Sequence, residues 1–497
     1  MPQPEILAAE AGAVPCTDVL IVGGGVCGAA LLFVLSRYSR LRHLTLVERH
    51  GQLAQVNSRA SSNSQTIHCG DIETNYTLEK ALKVQRIASM IGRYASLLPP
   101  ESRERCVFNT QKMILAVGEE ETARLRERYQ LFSPHFPGMQ LLEKPVIADW
   151  EPRVALVKGE LRQEELLAIG IRGEATAVDY EALAQTFVEQ ASGLLVPATG
   201  RSLDLHLGTE LRNLTVDGDG FLADLAPWPG GEGGAGRLTE PRRLRARHVV
   251  VNAGAHSLLL AQRMGYGLEY SCLPVAGSFY FAPAVLRGKV YTMQNDKLPF
   301  AALHGDPDVR VPGHTRFGPT ALLLPLLERY RPASFAEFLQ VLRLDANVIA
   351  VIGELFADSE IRAYILRNLL YEVPGLRRRL FVADVRKIVP DLHSDDLRFA
   401  KGYGGVRPQL IDKRQRRLLL GDVSLPARPG LIFNVTPSPG GTCCLGNAWR
   451  DAQAIAAHLG VSLDPSRFDR ELLGSPPPEV ASPDPAVAEG SGLAASS

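Results

Sequence analysis

Cysteine is scarce in this sequence and follows no metal-binding or disulfide pattern. The seven cysteines among 497 residues are an odd number, and no two of them stand in C-x-x-C spacing. They occupy positions 16, 27, 69, 106, 272, 443 and 444. A disulfide framework needs paired cysteines, and structural zinc needs closely spaced ligands. The sequence therefore predicts a reduced, intracellular chain without disulfides, zinc or another metal.

Long apolar runs and an excess of one charge are also missing. No stretch reaches the roughly 20 uninterrupted apolar residues of a membrane span. The N-terminus has no basic region followed by an apolar one, so we expect no signal peptide. Any contact with a membrane would then come from one side. Basic and acidic residues both number 54, and this balance gives no reason to expect a nucleic-acid partner.

A glycine motif near the N-terminus is the strongest positive signal. Gly23, Gly25 and Gly28 stand in G-x-G-x-x-G spacing. The flanking pattern predicts a strand at 18–22, a helix through 29–35 and a second strand at 44–47 that ends in Glu48. In dinucleotide-binding folds the first glycine permits the turn, the second admits the pyrophosphate, and the third lets the helix pack closely. A carboxylate at Glu48 would accept hydrogen bonds from the ribose hydroxyls.

The rest of the chain divides by composition and pattern into two further kinds of segment. Buried strands with small-residue turns at 248–257 and 431–442 match the first unit, whereas long helical runs at 334–353 and 359–370 indicate different architecture. We predict an α/β protein with two domains. Residues 17–95, 171–272 and 398–465 would form a Rossmann-like domain, and residues 96–170 and 273–397 an α+β substrate domain. The chain would cross between the two domains several times. Residues 1–16 and 475–497 are expected to be a flexible N-terminal tail and a disordered tail.

Several separated motifs resemble one class of FAD enzymes. They are the G-x-G-x-x-G unit with Glu48, VVVNAGAHS at 249–257, GVRP at 405–408 and TPSPGGT at 436–442. From residue 18 to about 459, the chain resembles the D-amino-acid-oxidase/glutathione-reductase-2 class. Within that class, SNSQTIHCGDIETNYTLEKA at 62–81 resembles the malate:quinone oxidoreductase family.

The resemblance implies FAD as the cofactor and a Rossmann-like domain that binds it. The sequence supports FAD over NAD, because only one dinucleotide fingerprint is present. The resemblance further implies oxidation of (S)-malate to oxaloacetate, with the electrons passed to a membrane quinone. Two alternatives stay open: another substrate such as L-2-hydroxyglutarate or an amine, and a non-catalytic FAD-binding protein. Implied cofactor contacts, besides the motif glycines and Glu48, are Ser62, Asn63, Ser64, Ala253, Gly254, Gly440, Gly441 and Thr442.

Two residues are candidates for the chemistry. Histidine can accept a proton near neutral pH, and the resemblance places His68 beside the flavin, so His68 is our candidate base. The alternative is a histidine that only hydrogen-bonds FAD or the backbone. Arg407 is the candidate for the substrate carboxylate because a guanidinium offers a two-pronged donor; the alternative is a surface or interface arginine. A second cation for malate could be His256, His304, His314, Arg316 or Lys297, which the sequence does not rank.

Two C-terminal segments complete the prediction. Gly440, Gly441 and Thr442 are expected to begin the last helix and to direct their N–H groups at the flavin pyrimidine edge. The basic run at 412–417 is read as a solvated hairpin, with contact to anionic lipid headgroups as the alternative. We expect a cytoplasmic protein, either free or peripheral on the inner face of the cytoplasmic membrane.

Overall fold

The computed structural model describes residues 14–231, 233–294, 302–419, 421–437 and 439–474. The expected tail at 475–497 and most of the expected tail at 1–16 lie outside these ranges. No helix inside them is long and apolar enough to cross a bilayer. The α-helices are Val26–Tyr38, Leu78–Ser96, Pro100–Cys106, Glu119–Phe132, Lys144–Trp150, Pro152–Ala155, Tyr180–Leu194, Ala255–Arg263, Ser334–Leu342, Ala346–Ala357, Ser359–Leu370, Arg377–Val385, Cys444–Leu459 and Pro465–Phe468.

One large sheet is built around the N-terminal strand. In spatial order its strands are Ser202–Leu207, His43–Glu48, Cys16–Val22, Arg242–Val251, Gly220–Pro227 and Thr209–Asp217; Leu431–Val435 also pairs with Arg242–Val251, and Val423–Arg428 with Leu431–Val435. The first four strands and Leu431–Val435 run parallel. Because the carboxyl ends of parallel strands share one edge, a cofactor cleft is expected there.

Apolar packing on both faces explains why the central strand is a continuous apolar run. Val19 and Ile21 belong to the core on one face, and Leu20 and Val22 to the core on the other. Helix Val26–Tyr38 is buried on most of its circumference. This burial follows from its packing between the first sheet and two further helices, Tyr180–Leu194 and Cys444–Leu459.

A second large sheet collects strands from distant parts of the chain. In spatial order they are Arg398–Phe399, Tyr280–Pro283, His314–Gly318, His304–Pro307, Lys289–Thr292, Lys112–Val117, Leu166–Ile171 and Gln140–Glu143. Lys289–Thr292 pairs with Lys112–Val117 in parallel, and the other pairs are antiparallel. The chain therefore crosses between the two large sheets several times, as predicted.

A smaller antiparallel sheet joins segments from both parts of the chain. Its strands are Leu322–Leu323, Tyr270–Ala276, Val406–Asp412 and Arg417–Leu419. Helix Ala346–Ala357 packs through Val348 and Val351 on one face of this sheet. Helix Ala255–Arg263 packs on the other face. Two short ladders join Val107–Asn109 to Ala175–Val178 and Leu156–Val157 to Glu160–Leu161.

The predicted α/β fold with a Rossmann-like unit is confirmed, while the exact domain boundaries stay a prediction. One helix prediction was wrong, because 334–353 is not a single helix. Ser334–Leu342 and Ala346–Ala357 are separate helices. Arg343 has a φ of +41°, which a continuous right-handed helix does not allow. Asp345 then caps the second helix by accepting two backbone N–H groups.

Candidate active site

The glycine motif lies at the carboxyl edge of the parallel strands, where a long cleft opens. The N–H of Gly23 donates to the carbonyl of Val47 at 2.8 Å, and its φ is +110°. A Cβ at Gly23 would lie 2.4 Å from the carbonyl oxygen of Asn252. A Cβ at Gly28 would lie 1.9 Å from the carbonyl oxygen of Gly23. Only glycine therefore permits this turn and the close packing of the helix.

Gly25 lines the cleft at the start of the first helix. A Cβ there would meet only the Ser58 hydroxyl within 4 Å, at 3.2 Å. Gly25 is the N-cap of helix Val26–Tyr38, the first turn holds no acidic residue, and the Ser58 hydroxyl accepts the N–H of Val26 at 3.0 Å. The helix start therefore presents N–H groups and the positive end of its dipole to the cleft, as a pyrophosphate requires.

Two backbone amides hold the Glu48 carboxylate at the cleft. Oε2 accepts from the N–H of Gly24 at 2.7 Å, and Oε1 accepts from the N–H of His50 at 2.8 Å. Burial raises the pKa of Glu48. Each carboxylate oxygen has a second lone pair, so Glu48 can still accept ribose hydroxyls.

The polar loop after the second strand lines the cleft with Ser62, Asn63 and Ser64. The side chain of Asn63 closes this loop on itself. Its Nδ2 donates to the carbonyls of Asn57 at 3.1 Å and Arg59 at 2.8 Å, and its Oδ1 accepts from the N–H of Gln65 at 2.9 Å. Both amide donors are thus committed, so the side chain of Asn63 maintains the loop shape.

His68 forms a hydrogen-bonded pair with Glu73 at the cleft. His68 Nδ1 lies 2.7 Å from Glu73 Oε1, and the two side chains are 19% and 10% exposed. Because a carboxylate only accepts, Nδ1 carries the proton and Nε2 is left as an acceptor. Burial acts to raise the pKa of Glu73, but the hydrogen bond and charge of His68 outweigh it and hold the pKa below its ordinary value.

Arg407 is a partly buried cation with no acidic partner among the described residues. It lies on strand Val406–Asp412 opposite Val275, and the surface it exposes lines the cleft. Burial lowers the pKa of Arg407, and among the described residues Tyr364, Tyr76 and Tyr291 act against this effect. Within the described ranges, no carboxylate pairs with its guanidinium and no acceptor hydrogen-bonds to it. A desolvated charge in this state favours an anionic ligand.

The His68–Glu73 pair and Arg407 lie close to the same tyrosines. Tyr76 is within electrostatic range of both Glu73 and Arg407. Tyr291 interacts with the same two charges, and its hydroxyl lies 2.6 Å from the Thr66 hydroxyl. The structure therefore brings the candidate base and the candidate carboxylate-binding residue to one part of the cleft.

Gly440, Gly441 and Thr442 line the cleft as a turn that precedes the last helix. The prediction that they begin this helix was wrong, since the helix is Cys444–Leu459. The turn packs on Tyr180: a Cβ at Gly441 would lie 2.8 Å from its ring, and the Thr442 hydroxyl lies 3.0 Å from its hydroxyl. The same Thr442 oxygen accepts the backbone N–H of His68 at 3.1 Å. Thr442 thus connects the turn to the candidate base.

The remaining candidate cations have other partners. Arg316 is fully buried between Asp306 and Asp308, at 3.2 and 3.4 Å from their carboxylate oxygens. His304 lies beside this cluster, and burial lowers its pKa to about 3. His256 bonds Glu337 at 2.9 Å near the Glu48 end of the cleft, and burial lowers its pKa to about 4. His314 is partly exposed beside Arg398, and Lys297 lies outside the described residues.

The residues at the cleft fit an FAD. Gly25 leaves room at a helix N-terminus for a pyrophosphate, Glu48 can accept the ribose, and Ala253 and Gly254 precede a second helix start at Ala255. The sequence analysis missed Glu73, Tyr76, Tyr291, Tyr364 and Ser58. Glu73 could have been found, because it stands five residues after His68 in the same polar segment. The tyrosines carry no local signal, since they reach Arg407 from three separate segments.

Comparisons with known proteins identify the family of this chain. A family model described as malate:quinone oxidoreductase (Mqo) matches residues 16–424. A probable malate:quinone oxidoreductase of Campylobacter jejuni is 44% identical over 462 residues, covering 92% of this chain and 99% of that protein. The malate:quinone oxidoreductase of Helicobacter pylori is 42% identical over 458 residues, covering 92% and 97%.

Among solved structures, dithionite-reduced L-α-glycerophosphate oxidase from Mycoplasma pneumoniae, with FAD bound, shares the fold. It matches with a TM-score of 0.57 at 19% identity, covering 90% of this chain and 96% of its own. The fold, the flavin-type cleft and the length over which the sequences agree lead to one conclusion. The chain belongs to the malate:quinone oxidoreductase family, a family of flavoproteins that use FAD.

Proposed function

We propose that this chain oxidises (S)-malate to oxaloacetate with FAD and passes the electrons to a membrane quinone. The observation that carries the proposal is the unpaired guanidinium of Arg407 in the same part of the cleft as the His68–Glu73 pair. Malate presents a hydroxyl next to a carboxylate, which needs a base and a cation at short range. Membership of the malate:quinone oxidoreductase family supports the same substrate and acceptor.

His68 would act as the base through Nε2. Glu73 holds Nδ1 at 2.7 Å, which fixes the tautomer and turns the free Nε2 lone pair toward the substrate hydroxyl. Removal of that proton raises the electron density on the hydroxyl-bearing carbon. FAD, when bound, accepts the hydride that this carbon releases. The carboxylate of Glu73 then stabilises the positive charge on His68.

Arg407 would bind and orient the substrate. A guanidinium forms two parallel hydrogen bonds with a carboxylate, so it fixes both the position and the rotation of malate. The hydroxyl of Tyr76, which lies in range of both Arg407 and Glu73, is suited to the second carboxylate. Together these contacts would present the α-hydrogen to the cofactor while Nε2 of His68 reaches the hydroxyl.

The cofactor contacts belong to the same proposal. Gly23, Gly25 and Gly28 would hold the pyrophosphate and Glu48 the ribose, while Ser62, Asn63, Ser64, Ala253, Gly254, Gly440, Gly441 and Thr442 would surround the rest of FAD. Residues 17–95, 171–272 and 398–465 would form the FAD-binding domain, and residues 96–170 and 273–397 the substrate domain. We place the enzyme peripherally on the inner face of the cytoplasmic membrane, where a quinone is within reach.

An anaerobic titration tests the activity. The purified protein is mixed with (S)-malate, (R)-malate or L-2-hydroxyglutarate, and the flavin absorbance is followed. We expect (S)-malate to bleach the flavin, and a soluble quinone, but not NAD, to restore it. Bleaching by L-2-hydroxyglutarate alone would change the substrate and leave the FAD site intact. A yellow protein that no 2-hydroxy acid bleaches would contradict the proposed catalysis.

A further inference from the structure

Exposed large apolar side chains are concentrated in one stretch of the chain. Of the 19 such side chains in the described ranges, 12 lie between residues 330 and 380. They are Tyr330, Phe335, Leu339, Leu344, Ile349, Phe356, Leu366, Leu369, Leu370, Val373, Leu376 and Leu380. Single exposed apolar residues are ordinary, but a cluster of this size marks an interaction surface.

Helix Ala346–Ala357 is apolar except at Asn347, Gly353 and Glu354. Its sequence, ANVIAVIGELFA, has Glu354 as the only charged residue. Val348 and Val351 pack inward on the small sheet, yet Ile349 on the outer side is 57% exposed and Phe356 is 37% exposed. A helix with so few polar residues is stable when its outer side, like its inner side, is covered by protein or by lipid.

The next helix, Ser359–Leu370, continues the same surface. Asp358 ends the preceding helix and caps this one, so the two helices follow each other directly. Leu366 is 52% exposed and Leu369 is 50% exposed, while Ile365 on the inner side is buried. The connecting segment after the helix adds Leu376, which is 48% exposed. These side chains form a broad apolar area that no described residue covers.

Basic side chains lie at the edge of this surface. The turn of the basic hairpin reaches the start of helix Ala346–Ala357: Arg416 Nε donates to Asn347 Oδ1 at 2.9 Å, and Lys413 Nζ lies 3.2 Å from Asp345 Oδ2. In segments 343–379 and 412–417, four exposed arginines have side chains with neither a carboxylate partner nor a hydrogen bond to any described residue. They are Arg343, Arg379, Arg414 and Arg417. An apolar face with cationic margins matches the depth profile of a bilayer surface with anionic headgroups.

We propose that helices Ala346–Ala357 and Ser359–Leu370, which pack on the same side of the small sheet, form a docking face that inserts its exposed apolar side chains into the surface of a bilayer containing anionic lipid. The inference rests on the proposed function, because a membrane quinone is the electron acceptor there. A second copy of the chain is a poorer occupant. In a symmetric dimer each copy would set its unpaired arginines against those of the other, and like charges repel.

The docking face lies on the small sheet that carries Arg407, the candidate residue for binding the substrate carboxylate. Helix Ala346–Ala357 packs on the small sheet, and Arg407 belongs to the strand Val406–Asp412 of that sheet. Tyr364 of helix Ser359–Leu370 lies within electrostatic range of Arg407. Lipid contact at this face would therefore place the bilayer next to the sheet whose residues line the cleft.

Flotation of the FAD-loaded full chain with lipid vesicles tests the docking face. One vesicle type contains phosphatidylglycerol and phosphatidylcholine in equal amounts, and the other contains phosphatidylcholine alone. We expect Ile349→Gln/Leu366→Gln to weaken binding to both by about tenfold or more, since two inserted side chains lose their apolar contact. The matched control is Leu131→Gln/Val216→Gln, whose parent side chains are 57% and 47% exposed outside the docking face. This control should bind as the wild type does.

The charged margin gives an independent test. Arg414→Gln/Arg417→Gln should weaken binding to the phosphatidylglycerol vesicles by about fivefold for each arginine removed. Binding to phosphatidylcholine alone should be unchanged. Added salt should reduce the difference, because it screens charges at the membrane surface.

Three results would overturn the docking face. They are wild-type protein that does not float with anionic vesicles, an Ile349→Gln/Leu366→Gln variant that floats unchanged, or a stable wild-type dimer that this variant converts to a monomer. The proposed function fails separately, through a flavin that (S)-malate does not bleach. If both the docking face and the proposed function are right, the variant keeps its rate with a tailless soluble quinone and loses turnover with a long-tailed quinone held in vesicles.

Discussion

Two regions of this molecule use the same kinds of side chain with opposite results. In the cleft, Arg407 faces the neighbourhood of the His68–Glu73 pair and has no carboxylate partner among the described residues. Inside the second sheet, Arg316 is fully buried and lies 3.2 Å from Asp306 Oδ2. One arginine is therefore electrically unbalanced, and the other is balanced within the protein.

The difference separates a binding site from a structural cluster. A buried charge is costly unless a partner of opposite sign compensates it. The Arg316 cluster is complete, and it supports the cofactor loop: Arg316 donates to the carbonyl of Asn63 at 3.1 Å, and Lys289 donates to that of Ser64 at 3.4 Å. Arg407 lacks such a partner, so an anionic substrate can provide it.

Removing the unbalanced arginine should have the largest effect on activity. We expect Arg407→Met to lower kcat/KM for (S)-malate by about a thousandfold or more, because a buried guanidinium–carboxylate contact is lost. Folding stability should change little, since no internal partner is left unpaired. Stopped-flow reduction of the flavin and a urea unfolding curve measure the two effects. A large loss of stability would mean that Arg407 is structural.

Removing the balanced arginine should show the reverse pattern. Arg316→Met leaves Asp306 and Asp308 buried with less compensation, so we expect the free energy of unfolding to fall by about 3 to 5 kcal/mol. Urea unfolding followed by fluorescence measures this loss. The variant that remains folded should reduce its flavin with (S)-malate at a KM near that of the wild type. A KM raised as much as in Arg407→Met would remove the distinction between the regions.

The histidines of the two regions offer a third comparison. His68→Ala should retain FAD and lower the rate of flavin reduction by about a hundredfold or more, the contribution of a general base. His304 stacks on Tyr291 with centroids 4.5 Å apart, so His304→Phe preserves the ring contact and serves as the control. We expect the control to reduce its flavin at close to the wild-type rate. Equal rates for His68→Ala and wild type would exclude His68 as the base.

A conservative change at Arg407 should have a smaller effect. Arg407→Lys keeps the positive charge but replaces the two-pronged donor with a point charge. We expect KM for (S)-malate to rise by about tenfold, with a modest change in kcat. Steady-state kinetics with a soluble quinone distinguish the two parameters. If KM stays at the wild-type value, the site needs only a positive charge and not the two-pronged hydrogen-bond donor of a guanidinium.

Lowering the pH should destabilise the fold through the charge-balanced Arg316–Asp306 cluster, and we expect this effect to be the smallest of the series. Burial acts to raise the pKa of Asp306, but the charges of Arg316 and Lys289 outweigh it and hold the pKa below the ordinary value of 3.8. A carboxyl with a lowered folded pKa stabilises the fold above that ordinary value, and the stabilisation is lost as pH falls through the folded pKa. Below pH 3.8, Tm should fall more steeply in wild type than in Asp306→Asn. If Tm falls equally with pH in wild type and in Asp306→Asn, Asp306 is not the ionised partner of Arg316 and Lys289.

The sequence predicted well where neighbouring residues decide the structure. The turn at Gly23 and the strand–helix–strand unit around it follow from local sterics and apolar periodicity, and the structure contains them. The prediction failed at 334–353, where Arg343 with a φ of +41° divides the run. It also failed at 440–442, which form a turn beside Tyr180 before the helix begins at Cys444. In both cases helical periodicity indicated a helix without showing where it begins or ends.

The sequence by itself determined the nucleotide-binding turn and the acidic residue at Glu48, because their residue types and spacing carry chemistry that needs no distant partner to be recognised. Together with the family resemblance, it also supplied the candidates His68 and Arg407. Only the tertiary structure decided which of the two arginines lacks a carboxylate partner among the described residues, because Asp306 and the tyrosines approach from remote segments. Only the tertiary structure, too, left the apolar side of helix Ala346–Ala357 outside the core. Burial and charge balance depend on every neighbour in space, and spacing along the chain does not reveal those neighbours.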